Sequence, residues 1–505
     1  MTATDKINAL ERETQNRIIK LFRERLDYRY IGNLQYEDNK NIREQDLRAW
    51  LTKQGYNDTL ITKSIRAIAN ASAMGGGRHL YDANKDIYRL LRYGIKEKAD
   101  ISENNQTIWL IDWKNIHNND FAIAEEVSIK GEHKKRPDIV LYVNGIALGV
   151  LELKRSAVDV IEGIRQNLDN QKKEFIRAFF TTIQLVMAGN NTQGLYYGTT
   201  ETSEKYYLKW KNEQIDPLAE GLEKDLDKSL VYLCQKSRFL QIVHDFIVYD
   251  AGIKKTCRHN QYNGIAKAIE HINDRKGGII WHTQGSGKSL TMVWLAKWIK
   301  ENIENSRVLI ITDRKELDEQ IETVFTGVEE TIYKCKSGAD LIRQLNQAQP
   351  ALICSLVHKF GRNGQNKDDD GDETVNEEYI EALKNVAGQD FHPKGNIFVF
   401  VDECHRTQSG KLHEAMKAIL PNALFIGFTG TPLLKADKKK SIEVFGGFIH
   451  TYKFNEAVAD GVVLDLRYEA RNIEQYLKSP KKFDEWFDIK TANMSDLAKR
   501  QIRER

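Results

Sequence analysis

The sequence of 505 residues lacks several features that would assign it to a familiar class. Its five cysteines include no C-x-x-C pair, so neither a disulfide framework nor a structural zinc site is indicated, and a reducing cytoplasm fits. No run of about 18 apolar residues occurs, so no membrane span is expected. The N-terminus has no apolar signal-peptide core. The net charge is only +3, so any contact with nucleic acid must depend on local surfaces.

A glycine-rich loop between an apolar run and a helix-forming run is the most specific pattern present. The apolar run Gly278–Trp281 predicts a strand, and Met292–Trp298 predicts a helix after the loop. Glycines let backbone N–H groups close on an anion, a lysine reaches the terminal phosphates, and a serine hydroxyl can bind Mg²⁺. His282 stands where the pattern usually has its first glycine. The residues predicted to bind a nucleotide here are Thr283, Gly285, Ser286, Gly287, Lys288 and Ser289.

Two carboxylates follow a second apolar run, Ile397–Val401, which predicts a buried strand. Asp402 is expected to hold Mg²⁺ through water, and Glu403 to orient and deprotonate the water that attacks the nucleotide. His405 completes an Asp-Glu-x-His pattern and is included with the nucleotide-binding residues. Another apolar strand ends in the hydroxyl-rich turn Thr429–Pro432. In this order, these patterns predict a nucleotide-hydrolysing domain.

Gln261 precedes the phosphate loop, and its amide offers a donor and an acceptor together, as recognition of adenine requires. A polar residue at a helix start is the alternative interpretation of Gln261. Polar residues also end two apolar strands, at the edge where α/β sheets bind ligands. The alternative interpretation of these polar residues is that they cap helices locally or simply carry surface charge. The candidates for contacts with a nucleic-acid backbone are Thr312, Arg314, Ser355 and Lys359.

Earlier in the chain, two apolar segments flank Asn144-Gly145, the strongest short signal for a β-hairpin. A two-residue turn without irregularity pairs Asp138 with Leu151, which points Asp138 away from the face of Glu152. One bulge, or a longer turn, pairs Asp138 with Glu152 and brings both carboxylates together. We predict that bulge or longer turn. Glu152 and Lys154 are two apart in sequence and therefore share one face of the strand.

Paired carboxylates beside a lysine suit metal-dependent hydrolysis of phosphodiesters. Asp138 and Glu152 are expected to hold Mg²⁺, and Lys154 to orient the water or to stabilise charge on the phosphate. The alternative interpretation is that these charged residues only form a salt bridge on an edge strand. Glu13, on a helix predicted over residues 7–27, is considered as an outer metal ligand, although a solvated glutamate is the simpler interpretation.

The order Pro137-Asp138, then Glu152-Leu153-Lys154, resembles the core of the PD-(D/E)xK nucleases. In the RecB-like branch of that family Q-x-x-x-Y often follows; here a helix predicted to reach about Phe175 carries Gln171 and Phe175, a partial match. A helix face with a solvated Gln171 is the alternative.

The phosphate loop, Asp-Glu-x-His and Thr429–Pro432 resemble superfamily 2 helicase motifs. Together the motifs resemble the motor (R) subunit of type I restriction enzymes over essentially the whole chain.

This resemblance implies an α/β fold in three parts. A PD-(D/E)xK endonuclease domain is expected at 1–245, a first RecA-like helicase domain at 246–465, and a helical tail or linker at 466–505. The second RecA-like domain is expected to be absent from this sequence. Its arginine fingers can contribute about 10³–10⁵ to the rate, so weak ATP hydrolysis is expected.

The resemblance also implies ATP and Mg²⁺ as cofactors and duplex DNA as substrate. In that family the cytoplasmic R subunit joins a methyltransferase (M) and a specificity (S) subunit, translocates DNA and cuts unmethylated duplex. Two other classes stay open: a stand-alone nuclease-helicase in repair or defence, and a non-catalytic DNA-binding scaffold.

Overall fold

The computed structural model forms two compact units, residues 1–463 and 464–505. The first unit contains two seven-stranded sheets and two small hairpins. The residues that the structure describes are 3–100, 102, 104–213, 216–312, 315–328, 330–356, 391–404, 416–417, 419–431, 445–466, 480–492, 494–495 and 498–499.

The helices begin and end where local capping and packing allow. Asn57 and Asp159, for example, each accept a hydrogen bond from a backbone N–H in the first turn of the helix that follows them. Among the described residues, no helix is long and apolar enough to cross a membrane. The α-helices are α1 (Ala3–Glu24), α2 (Glu44–Lys53), α3 (Asp58–Ser72), α4 (Leu80–Tyr93), α5 (Val160–Asn170), α6 (Asp225–Cys234), α7 (Lys236–Asp245), α8 (His259–Asn273), α9 (Lys288–Asn302), α10 (Lys315–Gly327), α11 (Gly338–Leu345), α12 (Phe454–Ala459) and α13 (Pro480–Lys490). Short 3-10 helices lie at Ile116–Asn118, Arg177–Thr181, Glu204–Tyr206 and Pro217–Ala219.

The strands are β1 (Arg29–Asn33), β2 (Ile95–Glu97), β3 (Gln106–Ile108), β4 (Phe121–Glu125), β5 (Ile139–Val143), β6 (Ile146–Leu153), β7 (Leu185–Asn190), β8 (Gly194–Gly198), β9 (Leu208–Lys209), β10 (Val248–Asp250), β11 (Ile253–Lys255), β12 (Gly278–His282), β13 (Ser306–Thr312), β14 (Tyr333–Lys334), β15 (Leu352–Leu356), β16 (Asn396–Val401), β17 (Leu424–Thr429) and β18 (Phe448–Tyr452).

The first sheet is mixed, with strand order β1-β4-β5-β6-β7-β8-β9. Strand β6 is antiparallel to β5 and parallel to β7. Every residue of β5 and β6 is buried, because α5 packs on β6 and β7 while α1 contacts β1 and β6. The polar residues that this pair carries at its ends are therefore held close to a dry core.

The second sheet is parallel throughout, with strand order β14-β15-β13-β16-β17-β12-β18. Strand β13, an interior strand of this sheet, is fully buried, as is typical of parallel sheets covered by helices. All the strand ends that carry the predicted nucleotide-binding motifs meet at its carboxyl edge. The predicted α/β fold with a parallel sheet is confirmed.

One continuous cluster of buried side chains joins the two sheets. It contains Leu151 of the first sheet, Phe239 of α7, Trp294 of α9 and Phe400 of the second sheet. The sheets are thus parts of one compact unit rather than loosely tethered bodies.

The helices predicted around residues 7–27 and 292–298 and the hairpin are confirmed, with one correction. Asn144 and Gly145 both have positive φ (52° and 79°), which a two-residue hairpin turn requires. The helix expected to reach about Phe175 ends at Asn170 instead. Gln171 leaves the helix, and Phe175 lies in the following turn.

A buried polar cluster around Asn84 connects α4, the first sheet and the β10–β11 hairpin. The Asn84 amide nitrogen donates to the carbonyls of Phe180, Thr181 and Ile183 at 3.0, 2.9 and 2.8 Å. Its side-chain oxygen accepts from the Tyr249 hydroxyl and from Lys254 Nζ. Neighbouring acceptors for Lys254 Nζ are Gln184 Oε1 at 2.8 Å and the Ile183 carbonyl at 3.2 Å. Burial lowers the pKa of Lys254 well below its ordinary value.

We expect Asn84→Ala to lower the stability of the chain by about 3 kcal/mol, because it leaves several buried polar groups without their partner. The urea concentration at the midpoint of unfolding measures this change. Asn302→Ala is the matched control, since Asn302 donates to Trp298 on an exposed helix surface. Equal midpoints for the two variants would contradict the prediction.

Candidate nuclease and nucleotide-binding sites

A bulge in β6 determines the position of the candidate nuclease site. Val143 pairs with Ile146 across the turn, and Leu141 pairs with Gly149, so Leu148 is one extra residue in β6. Beyond the bulge Ile139 pairs with Leu151. Extending that register by one residue places Asp138 opposite Glu152, as predicted.

Of the two carboxylates, Glu152 is buried and Asp138 is half-buried. Glu152 is 1% exposed, and the Leu153 N–H donates to Asp138 Oδ2 at 2.7 Å. Burial, followed by the neighbouring Glu152 carboxylate, raises the pKa of Asp138 well above its ordinary value. Lys154 and the Leu153 N–H act in the opposite direction. The pair therefore favours a proton or a cation between its oxygens.

Lys154 is held by two side chains on opposite sides of the site. Its Nζ donates to Glu152 Oε1 at 2.8 Å and to Gln166 Oε1 at 2.7 Å. Helix α5 can come this close because it carries Gly163, where a Cβ would lie 3.3 Å from Lys154 Cγ. Gln166 is the site residue that the sequence analysis missed. Its position on the face of α5 towards β6 could have indicated it, but the family pattern drew attention to Gln171.

Helix α1 supports the other end of the site. Glu125, buried at the end of β4, accepts from Arg12 Nη2, from Gln15 Nε2 and from the Tyr30 hydroxyl. Gln15 also donates to the carbonyl of Asp138 at 3.4 Å. These contacts fix the strand end that carries Asp138.

Glu13, Gln171 and Phe175 have local environments that differ from one another. Glu13 is exposed, which fits a solvated glutamate. Gln171 is buried rather than solvated: it donates to the Asn167 carbonyl and accepts from the Glu201 N–H. Phe175 packs under Lys135, whose Nζ lies 4.1 Å from the ring centroid.

The phosphate loop has the backbone geometry that its sequence predicts. Gly285 and Gly287 have φ of 81° and 91°, and Gly287 directly precedes α9, so Lys288 and Ser289 form the first helical positions. The buried Ser286 hydroxyl donates to the Thr283 carbonyl. Backbone N–H groups of the loop and the helix N-terminus can together bind a phosphate.

The carboxylates after β16 lie beside this loop. Lys288 Nζ is 3.9 Å from Glu403 Oε1, and Gly430 N–H donates to Glu403 Oε2 at 3.4 Å. Glu403 adopts a positive φ of 46°, a conformation that non-glycine residues rarely take. Asp402 is 7% exposed and accepts from the Glu403 N–H. The structure thus brings the phosphate loop, the Asp-Glu pair and the Thr429–Thr431 turn together.

Gln261 is connected to the same loop. Its Oε1 accepts from the Arg258 N–H at 2.9 Å, and its Nε2 donates to the Gly287 carbonyl at 3.0 Å. The amide therefore contacts the loop backbone, while a role in reading adenine stays a prediction.

The predicted DNA-contacting residues are only partly described. Thr312 is the last residue of β13 and Ser355 the last but one of β15, and both are fully buried. Their adjacent strands are paired in parallel, with Ile311 beside Ser355. Arg314 and Lys359 lie outside the described residues, as do His405 and Pro432.

The donor sets suit Mg²⁺. Magnesium usually keeps several waters and takes one or two protein carboxylates. Asp138 with Glu152, and Asp402 with the Ser289 hydroxyl, are sets of this kind. Within the part of the chain that the structure describes, no group of three or more His, Cys, Asp or Glu side chains is arranged to hold a metal ion.

Comparisons with known proteins match two family models to the chain. Residues 8–205 match the family model described as type I restriction enzyme R protein N terminus, and residues 260–500 match that of the SWI2/SNF2 ATPase. The type I restriction enzyme HindI endonuclease subunit of Haemophilus influenzae is 27% identical over 88% of this chain and 45% of its own length. The SsaAORF53P endonuclease subunit of Staphylococcus saprophyticus is 26% identical over 83% of this chain and 46% of its own length.

Among solved structures, that of the UvsW helicase from bacteriophage T4 matches 42% of this chain and 66% of its own, at 18% identity and a TM-score of 0.29. The chain spans about half the length of the curated relatives it matches. The two family models follow one another along the chain in the order that the sequence motifs predict. Over most of its length the chain is similar to the endonuclease (R) subunits of type I restriction enzymes.

Proposed function

We propose that this chain carries the DNA-cleaving site and the first ATP-binding domain of a type I restriction endonuclease. The whole enzyme would translocate duplex DNA with ATP, together with methyltransferase and specificity subunits, and cut unmethylated DNA. One observation carries the proposal. Asp138, Glu152 and Lys154 converge in the same compact unit in which Lys288 faces Glu403.

At the nuclease site, Asp138 and Glu152 would hold Mg²⁺. When bound, the metal would activate water and neutralise charge on the scissile phosphate. Lys154, held by Gln166, would orient the attacking water or stabilise the phosphate. The raised pKa of Asp138 supports this assignment, because a divalent cation relieves the repulsion between two buried carboxylates.

At the nucleotide site, Lys288 and the loop N–H groups would bind the phosphates, and Ser289 with Asp402 would hold Mg²⁺. Glu403 would orient the water for hydrolysis, and Gln261 would contact the adenine.

The function is tested by cutting of unmethylated plasmid with Mg²⁺, ATP and the methyltransferase and specificity subunits added. We expect Glu152→Ala to abolish cutting and to leave ATP binding unchanged. Lys288→Ala should weaken ATP binding by about tenfold or more, since hydrogen bonds to charged groups contribute about 1.5–3 kcal/mol. Lys300→Ala is the control, because Lys300 pairs with Glu330 on the surface. Cutting that does not need the added subunits would favour a stand-alone nuclease-helicase, and cutting by Glu152→Ala would refute the site.

Asp138→Asn should abolish cutting and also stabilise the metal-free chain. The pKa of Asp138 is raised in the folded state, so its contribution to stability is present below the unfolded pKa of about 3.9 and is lost as pH rises through the folded pKa. At pH 7.5 with a chelator, the variant should unfold about 2 °C higher than the wild type. Mg²⁺ should raise the unfolding temperature of the wild type more than that of the variant.

The control for this substitution is Asp169→Asn, an exposed carboxylate paired with Lys172. It should leave both cutting and the unfolding temperature unchanged. A lower unfolding temperature for Asp138→Asn than for the wild type in chelator would show that the carboxylate pair is not a source of repulsion.

Gln166→Leu should slow cutting by about 10–100-fold, the usual effect of removing a group that orients an active-site ligand. DNA binding and the unfolding temperature should stay close to those of the wild type, because only one hydrogen bond to Lys154 is removed. Gln166→Glu, which keeps an acceptor for Lys154 Nζ, should recover part of the rate. Single-turnover cleavage measures these differences, and equal rates for wild type and Gln166→Leu would contradict the role.

A further inference from the structure

His282 occupies the position of the usual first glycine of the phosphate loop, and its ring is completely buried. It ends β12, directly before Thr283. Helix α8 packs closely over it: a Cβ at Gly264 would lie 3.0 Å from His282 Cε1. A buried imidazole needs hydrogen-bond partners at both nitrogens.

Those partners form a continuous chain across β12 and β18. The Asn260 amide nitrogen faces His282 Nδ1 at 3.5 Å, and His282 Nε2 lies 2.7 Å from His450 Nδ1. The second nitrogen of His450 contacts Glu213 Oε1, and Lys267 Nζ donates to Glu213 Oε2. Glu213 can only accept, so the His450 nitrogen that faces it donates the hydrogen bond, and the contacts run from Asn260 through both histidines to the carboxylate.

The charges around this chain favour the same arrangement. The hydrogen bond from His450 is the largest cause that lowers the pKa of Glu213, to about 2, so this residue is a carboxylate at neutral pH. Burial lowers the pKa of His282 well below its ordinary value, and His450, Lys288 and His259 add to that effect while Glu213 opposes it. His282 is therefore neutral and carries a single proton to donate.

Glu213 belongs to a different part of the fold. It follows β9, the edge strand of the first sheet, in the segment that leads towards the second sheet. The same segment is tied to the second sheet's side at Lys211, whose Nζ lies 3.4 Å from Asp460 Oδ1. Asp460 also accepts from the Tyr452 hydroxyl, and the Tyr452 carbonyl accepts from the Thr283 N–H.

We propose that His282, His450 and Glu213 are positioning residues that link the start of the phosphate loop to the segment 208–213 after the first sheet, so that nucleotide binding is coupled to the nuclease half. This inference rests on the proposed ATP site. Movement of Thr283 on phosphate binding shifts His282. The hydrogen bonds from His282 to His450 and from His450 to Glu213 form a relay that passes this shift to Glu213. The buried rings transmit it because neither can move without losing a hydrogen bond.

The test measures amide hydrogen exchange of residues 208–213 in the full chain. Exchange is compared with and without a non-hydrolysable ATP analogue, in the presence of Mg²⁺. In the wild type the analogue should slow exchange there by about fivefold or more, the lower range of coupling between sites. In Glu213→Gln the analogue should still bind, but exchange in this segment should change little. By reciprocity, the affinity for the analogue should fall by the same factor.

Glu330→Gln is the matched control, since Glu330 pairs with a surface lysine on α9 as Glu213 pairs with Lys267. It should retain both the affinity and the protection of the wild type. His450→Phe, which keeps a buried ring without polar atoms, should behave as Glu213→Gln does. Failure of the wild type to bind the analogue would overturn the proposed ATP site. Binding with equal protection in the wild type and in Glu213→Gln would overturn the relay alone.

Discussion

The single extra residue in β6 is the constraint on which the nuclease half depends. Without Leu148 in the bulge, the hairpin would pair Asp138 with Leu151, and the carboxylates would lie on opposite faces of a fully buried sheet. A charge pointing into an apolar layer without a partner costs several kcal/mol. The bulge instead places both carboxylates on the face that α5 covers with Gln166. One backbone irregularity thus places two carboxylates side by side on one face of the sheet instead of on opposite faces.

The nucleotide half depends on a simpler constraint. In a fully parallel sheet all carboxyl ends meet at one edge, so β12, β16 and β17 deliver the phosphate loop, Asp402-Glu403 and the Thr429 turn to one place without further devices. The backbone itself carries the strain: Glu403 takes a left-handed φ at the point where it meets Lys288. Such strain at a site persists only where the surrounding structure holds it in place.

The sequence was informative where a pattern is local and uninformative where contacts depend on packing. The hairpin, the need for a bulge and the phosphate loop follow from spacing alone. Gln166 does not, because its role depends on how closely α5 approaches β6, which Gly163 permits. The helix was expected to reach Phe175 but ends at Asn170, and the Lys172 and Phe175 N–H groups donate to carbonyls three residues earlier, as in turns. The DNA contacts of Arg314 and Lys359 stay predictions.

The junction between the two sheets combines a continuous apolar core with buried polar chains through Asn84 and through His282. Apolar side chains at these positions would give a junction of similar or greater stability, because burying polar groups sacrifices their hydration. Hydrogen-bond chains differ from apolar contacts in having a discrete geometry: a ring that rotates breaks two bonds at once. A junction built this way responds to displacement of the phosphate loop in steps rather than by gradual slippage. Under the proposed function, this property would let the nucleotide state act on the candidate nuclease site in the neighbouring sheet.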